Sequence, residues 1–207
     1  MCSTLAAPGF DAGMQVAMSR VEEIKSRAIQ LMAERSFDGV SLRQLAEAVG
    51  IQPGSIYTHY PSKGQLLREL CCDYQEDLLA AWREQRRRGD PRKALADFVA
   101  VYVRFHLARG DESRVAQLDF RCLDAQGKQL VAGLRAQYEE ELEAILRQGL
   151  AAGVFRLVDV GVARLGILAL LQGVCAVRGE SAAAEVVRIC VEAALRLAGA
   201  GLAERVG

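Results

Sequence analysis

The chain has 207 residues, enough for one domain or two around a sizeable core, and 51% of them are hydrophobic while only 6% are aromatic. Ala, Leu, Val and Gly dominate and prolines number four, a composition suited to long uninterrupted helices. The formal net charge is zero, which excludes attachment to nucleic acid through bulk positive charge, and the six cysteines show no CxxC or Cys/His spacing that would hold a metal.

Residues 1–18 form a Gly/Ala/Ser-containing lead-in, expected to be disordered, with neither the basic start nor the apolar core of a signal peptide. A first helix is expected from Ser19, where Glu22 completes a capping pattern, to near Arg35, with Val21, Ile24, Ala28 and Leu31 on one face and Phe37 as a plug behind it.

The stretch Ser41–Lys63, SLRQLAEAVGIQPGSIYTHYPSK, carries the most information. Ser41 and Gln44 make a capping box, and Leu42, Leu45 and Val49 recur at helical spacing. Gly50 ends that helix where a left-handed residue is needed. Pro53 suits the first position of a second helix, which Ile56 anchors into the core. Two helices around a tight glycine turn make a helix-turn-helix, whose second helix enters the major groove. Ser55, Tyr57, Thr58 and His59 follow Gly54 and offer hydroxyls, imidazole and methyls to phosphates and base edges. No acidic residue occurs from Ala48 to Lys63. Ser62 and Gln65 repeat the capping pattern, so a helix N-terminus begins beside Lys63 as a phosphate clamp.

The run LRQLAEAVGIQPGSIYTHYPSKGQLL closely resembles the DNA-binding signature of the TetR family of transcriptional regulators. The shared elements are the Ser cap, the Ala-x-x-x-Gly pair, the aromatic-x-His-aromatic run and the Ser-Lys that opens the next helix. The resemblance covers residues 19–70 or so; Tyr60 stands where Phe is more usual. It implies a dimer that reads a palindromic operator in double-stranded DNA and releases it on binding a small-molecule effector. Ser41, Arg43, Tyr57, Tyr60 and Lys63 are expected on phosphates, and Pro53, Gly54, Ser55, Thr58 and His59 near base edges. Residues 1–65 carry six Lys/Arg and six Asp/Glu, so few phosphate contacts per subunit are expected.

Beyond the motif, a long helix is expected from Gln65 to about Arg88, spanning ~36 Å, with Leu67, Leu70, Cys71, Tyr74, Leu78 and Trp82 as its stripe. The Arg86–Arg88 run then reads as a solvated turn at a helix C-terminus. Asp90-Pro91 starts a helix to about Arg109, Gly110–Ser113 breaks the chain, and a shorter helix holds Val115 to Leu123. Gly127–Leu150 is amphipathic, with Leu130, Leu134, Tyr138, Leu142, Ile145 and Leu146 inward and Glu139, Glu140, Glu141 and Glu143 toward water. Two further helices, about Asp159–Arg178 and Ala182–Ala200, have so little polar surface that both sides need cover, which predicts a four-helix bundle with a second copy. Arg164, Gln172 and three glycines in the first of these argue against a membrane span.

The expected fold is all-α. An N-terminal three-helix helix-turn-helix DNA-binding domain (19–65) is followed by a C-terminal helical ligand-binding and dimerisation domain (66–207). No catalytic constellation is present, and no enzyme activity, cofactor or metal is expected. Trp82, Tyr102, Phe105, His106, Phe120, Tyr138 and Gln172 are candidate pocket residues, each with ordinary core packing as its competing role, for an apolar or amphipathic ligand. Two other readings compete: the same fold responding to oxidation of Cys71, Cys72 or another thiol, and a helical interaction protein without DNA binding. The expected location is the cytoplasm.

Overall fold

The structure, a computed structural model, describes residues 19–86, 89–176 and 183–200. The lead-in to Met18, Arg87, Arg88 and Cys2 lie outside the described residues, as does the side chain of Cys175. All regular structure among the described residues is helical.

Helix α1 (Arg20–Arg35) begins at Ser19, whose Oγ accepts the Glu22 N–H, and buries Ile24, Ala28, Leu31 and Met32. A 3₁₀ turn, Phe37–Gly39, leads to α2 (Leu42–Val49). Its capping box is reciprocal: Ser41 Oγ accepts the Gln44 N–H at 3.2 Å and Gln44 Oε1 accepts the Ser41 N–H at 2.9 Å. Gly50 takes φ 72°, the left-handed conformation that lets the chain turn, and α3 (Pro53–His59) follows with Pro53 at its first position. Helix α4 (Lys63–Gln85) is capped by Ser62 and buries Leu66, Leu67, Leu70, Cys71, Tyr74, Leu78 and Trp82 along its stripe.

Helix α5 (Pro91–Ala108) is capped by Asp90. The expected break at Gly110–Ser113 is displaced: Gly110 opens α6 (Gly110–Leu118), and the chain bends instead at Arg109, with φ −120° and ψ 49°. Arg109 is pinned there by Asp77 and Glu112, and Asp111 and Glu112 in the first turn suit a helix N-terminus. A 3₁₀ turn, Asp119–Cys122, connects to α7 (Ala125–Ala151), then α8 (Val160–Ala176) and α9 (Ala183–Leu197). On α7 the expected inward face is rotated at its start, since Leu130 is 49% exposed and Val131 is fully buried. Its glutamates are not all turned to water. Glu141 accepts the Trp82 indole N–H at 3.1 Å and pairs with Arg86 at 2.9 Å, while Glu139 pairs with Arg164.

Two hydrophobic cores result. One joins α1–α3 to the first half of α4 and to Val115, Ala116, Leu123 and Val131; the other joins Leu78, Leu79 and Trp82 to α5, α7, α8 and α9. Where α7 ends, the ring of Phe155 lies so close to Gly149 that an added Cβ would sit 2.0 Å from Cδ2. Gly149→Ala is therefore expected to lower stability by about 2 kcal/mol or more. Gly133→Ala, in the same helix with nothing within 4 Å of the added Cβ, should raise it by about 0.5–1 kcal/mol. Urea unfolding midpoints of the two variants check both signs.

Candidate nucleic-acid interface and effector cavity

Helix α3 buries only Ile56. Gly54, Ser55, Thr58 and His59 are exposed and Pro53 is half-buried, so the residues expected near base edges form one open face, and Tyr57, expected on a phosphate, is exposed among them. An added Cβ on Gly54 would meet nothing within 4 Å, which leaves that face open to close approach. Ser41 and Arg43 are exposed beside it at the start of α2.

The other two expected phosphate contacts are placed differently. Tyr60 is 2% exposed, and its hydroxyl donates to Glu69 at 3.3 Å rather than standing free for phosphate. Burial, then the Glu69 charge, pushes its pKa up to about 12. Lys63 is half-buried: Nζ donates to the Phe37 carbonyl at 2.7 Å and lies 4.0 Å from the centre of the Phe37 ring. As a clamp it must share its charge with that turn. Behind the motif, Lys25 joins α1 to α4 through Glu69 at 2.6 Å and Asp73 at 2.8 Å. Burial opposes the Lys25 charge, but the hydrogen bonds to Asp73 and Glu69 outweigh it and raise its pKa.

A cavity of about 330 Å³ opens between α4, α5, α6, α7 and α8. Of the expected lining residues, Tyr102, His106, Tyr138 and Gln172 are there; Trp82, Phe105 and Phe120 are not. Trp82 packs edge-on against Phe98 at 5.1 Å. Phe105 sits between the two cores, against Tyr74 at 5.2 Å and under the Arg109 guanidinium. Phe120 lies beneath the guanidinium of Arg135 at 4.5 Å. Gln75, Gln117, Arg135, Glu139 and Leu168 line the cavity and were missed. Gln75 was findable: it lies four residues after Cys71 and three before Leu78, a buried polar residue within an apolar stripe.

The cavity wall around His106 is aromatic and uncharged, with Arg135 and Glu139 on the α7 side. His106 is 5% exposed and stacks on Tyr102 with ring centres 3.9 Å apart. Its Nδ1 lies 2.8 Å from the Tyr102 carbonyl. Since a carbonyl only accepts, Nδ1 carries the hydrogen and Nε2 is left as an acceptor. Burial pulls the imidazole pKa down to about 4, against the raising effect of that hydrogen bond, so His106 is uncharged at neutral pH. The Tyr138 hydroxyl is buried with no hydrogen-bond partner among the described residues, and burial holds its pKa well above the usual value. Of the two charged residues at the wall, Glu139 pairs with Arg164, and Arg135 donates to the neutral Ala116 carbonyl at 3.1 Å.

Three thiols, those of Cys71, Cys72 and Cys190, are held in their neutral form. Burial, then neighbouring Cys72, pushes the Cys71 pKa up to about 12, and burial also raises those of Cys72 and Cys190. Such thiols are poor nucleophiles, which speaks against an oxidation sensor at these positions.

An exposed helix-turn-helix carried on a helix shared with an aromatic-lined bundle defines a DNA-binding regulator with a separate small-molecule site. Residues 24–70 match the family model for bacterial regulatory proteins of the tetR family, and residues 88–198 match the tetracyclin repressor-like C-terminal domain model. The chain is 30% identical over 153 residues to the HTH-type transcriptional repressor KstR2 of Rhodococcus jostii, covering 70% of this chain and 72% of that protein. In solved structures it resembles a tetR-family regulatory protein from Rhodococcus RHA1, with TM-score 0.86, 25% identity and coverage of 90% of this chain and 100% of that one. AibR, solved with isovaleryl coenzyme A and operator DNA, shares the fold at TM-score 0.77 and 18% identity over 84% of this chain and 97% of that chain. The chain belongs to the TetR family of bacterial transcriptional regulators.

His106 gives the cavity a pH signature. Above about pH 6.5 both folded and unfolded chains hold it neutral. Below that, the unfolded chain takes up a proton that the buried imidazole refuses until about pH 4, so stability falls with pH across this window, by up to ~1.4 kcal/mol per pH unit. His106→Gln should flatten that part of the curve. Urea titrations at several pH values between about 7 and 4 check it.

Proposed function

We propose that the protein is a homodimeric repressor that occupies a palindromic operator in bacterial double-stranded DNA and leaves it when an apolar or amphipathic molecule enters the cavity. The observation that carries this reading is helix α4, whose N-terminal half belongs to the core of the DNA reader and whose Gln75 and Leu78 line the cavity. Matter entering the cavity presses on the same helix that orients α3.

Dimerisation is supported by the outer faces of α8 and α9. Val162 and Leu165 are 68% and 59% exposed, and Ile189 and Leu197 are 50% and 47% exposed. These residues recur at helical spacing on two adjacent helices, as a four-helix bundle with a second copy requires. A two-fold dimer presents two copies of α3 to half-sites one helical turn apart. No described helix is long and apolar enough to cross a membrane, and a protein acting on operator DNA in a bacterium works in the cytoplasm.

The neutral aromatic wall around His106 favours an uncharged, apolar portion of the effector against it. To empty most of the operator, the effector must bind the released state about a hundred-fold better, roughly 3 kcal/mol of coupling. Fluorescence anisotropy with duplex DNA from the protein's own upstream region tests the reading. His59→Ala and Arg43→Ala should each weaken binding about tenfold at fixed salt, the first through a base contact and the second through a phosphate. Isovaleryl coenzyme A and longer acyl coenzyme A compounds are the first probes for release. Duplex binding that ignores both substitutions would reject the proposed DNA face.

A further inference from the structure

Several polar side chains around the cavity of about 330 Å³ are engaged by the protein itself. Gln117 donates to Ser113 at 3.1 Å, Arg135 donates to the Ala116 carbonyl, and Glu139 pairs with Arg164. On α4 and α5 the wall differs. Gln75, 8% exposed within the apolar stripe of α4, makes no hydrogen bond among the described residues. His106, 5% exposed on α5, uses one ring nitrogen: Nδ1 donates to the Tyr102 carbonyl at 2.8 Å, and Nε2 has no partner among the described residues.

The chemistry of Nε2 is decided by that bond. A carbonyl only accepts, so the ring hydrogen sits on Nδ1 and Nε2 is an acceptor. Turning the ring over would set a carbon against the carbonyl and forfeit the bond. Tyr102, stacked at 3.9 Å, and Tyr74, edge-on at 5.6 Å, hold the ring plane. Burial keeps the imidazole uncharged at neutral pH, so the acceptor does not become a donor there.

An acceptor in such a wall discriminates between ligands. A hydrocarbon laid over Nε2 leaves it unsatisfied, and a ketone brings a second acceptor to the first. An ammonium would donate, but it would arrive charged where Glu139 is already paired with Arg164. A hydroxyl supplies the hydrogen without charge.

We propose that His106 is the specificity-determining residue of the cavity, its Nε2 accepting a hydrogen bond from a hydroxyl group of an uncharged, otherwise apolar effector. Gln75, whose amide both donates and accepts, adds a second polar point on α4, the helix shared with the DNA reader. The rings of Tyr102 and Tyr138 form the bed for the apolar remainder. The proposal rests on the reading of this cavity as the effector site, and it names the group that the site selects.

Tetralol, tetralone and tetralin test it, since they share one two-ring frame and carry a hydroxyl, a carbonyl or neither. The first readout is long-range proton–nitrogen NMR of the full-length protein, whose two histidines are His59 and His106. The free protein should show His106 with its hydrogen on Nδ1. Tetralol should move the His106 Nε2 signal upfield, as accepting a hydrogen bond does, while tetralin leaves it in place and exposed His59 does not respond. The second readout is calorimetry. His106→Phe should weaken tetralol binding about fivefold or more and leave tetralone and tetralin within about twofold. If His106→Phe does not fold, the nitrogen signal decides. An unmoved Nε2 signal, tetralol affinity indifferent to His106→Phe, a loss confined to Gln75→Leu, or no uptake of tetralol at millimolar concentration would overturn the proposal. So would a tetralin carboxylate that binds more tightly than tetralol and loses its affinity in Arg135→Ala, because the cavity would then select an acid. Neither readout needs DNA: a wild type that binds no upstream duplex would reject the DNA-binding reading, while the Nε2 signal would still decide the subsite.

Discussion

A single uninterrupted helix serves both hydrophobic cores, and the rest of the molecule depends on it. Leu66, Leu67, Leu70, Cys71 and Tyr74 of α4 are buried with α1–α3, and Leu78, Leu79 and Trp82 with α5, α7, α8 and α9. After Gly64 the helix contains neither Gly nor Pro, so nothing in it invites a kink. Its flanks are tied as well: Lys25 bridges Glu69 and Asp73 from the reader's side, and Glu141 gathers Trp82 and Arg86 from the other. A rod packed this way cannot absorb a displacement locally. Movement of one end must tilt the other, which is the physical basis for signalling between a buried cavity and an exposed helix some tens of ångströms away.

The two sites use opposite chemistry. The DNA face is polar, exposed and held mostly by its scaffold, with Ile56 as the one buried residue of α3. The cavity is the reverse: its aromatic wall is fixed from within, by the stacking of Tyr102 on His106 and by the Nδ1 bond that selects one tautomer. Neutrality there follows from burial, because a charged imidazole would stand in an apolar site without an acid to balance it. Of the charges at that wall, Glu139 is paired with Arg164, whereas Arg135 meets the Ala116 carbonyl and the Phe120 ring.

Much of this was legible from local rules. The Ser41–Gln44 box, the left-handed Gly50 and the leading Pro53 are decided within four or five residues, and each appears as expected. What the sequence hid is tertiary. Tyr60 was expected at a phosphate because nothing local says that Glu69, nine residues on, takes its hydroxyl. Lys63 was expected free because its acceptor, the Phe37 carbonyl, lies 26 residues earlier. On α7 the apolar pattern at Leu130 and Val131 fits two rotations of the helix, and only the neighbours choose between them. Tyr102, His106 and Tyr138 are legible because aromatic residues and histidine stand out on a helix face, and Gln172 because it is polar in an otherwise apolar helix. Arg135 and Glu139 were passed over because a charged residue on an amphipathic helix reads as solvated surface.

The zero net charge takes its meaning from where the charges sit. Four acids pair behind the reader, Glu69 and Asp73 with Lys25 and Asp77 and Glu112 with Arg109, while Asp38 lies in the cleft beside Ser41 and Lys63. The run from Ala48 to Lys63 has none. Neutrality overall thus coexists with a helix α3 that carries no acid. With few free cations, the sequence-independent hold on phosphate is weak, and a single subunit gains little from counterion release. On the proposed reading as a two-fold dimer, occupancy comes from base contacts made by α3 and from two such helices acting together. That makes the relative placement of the two helices the quantity on which binding turns. A molecule that shifts α4 by a small angle in each subunit acts on that placement directly, whereas a strongly basic reader would cling to DNA regardless of its spacing.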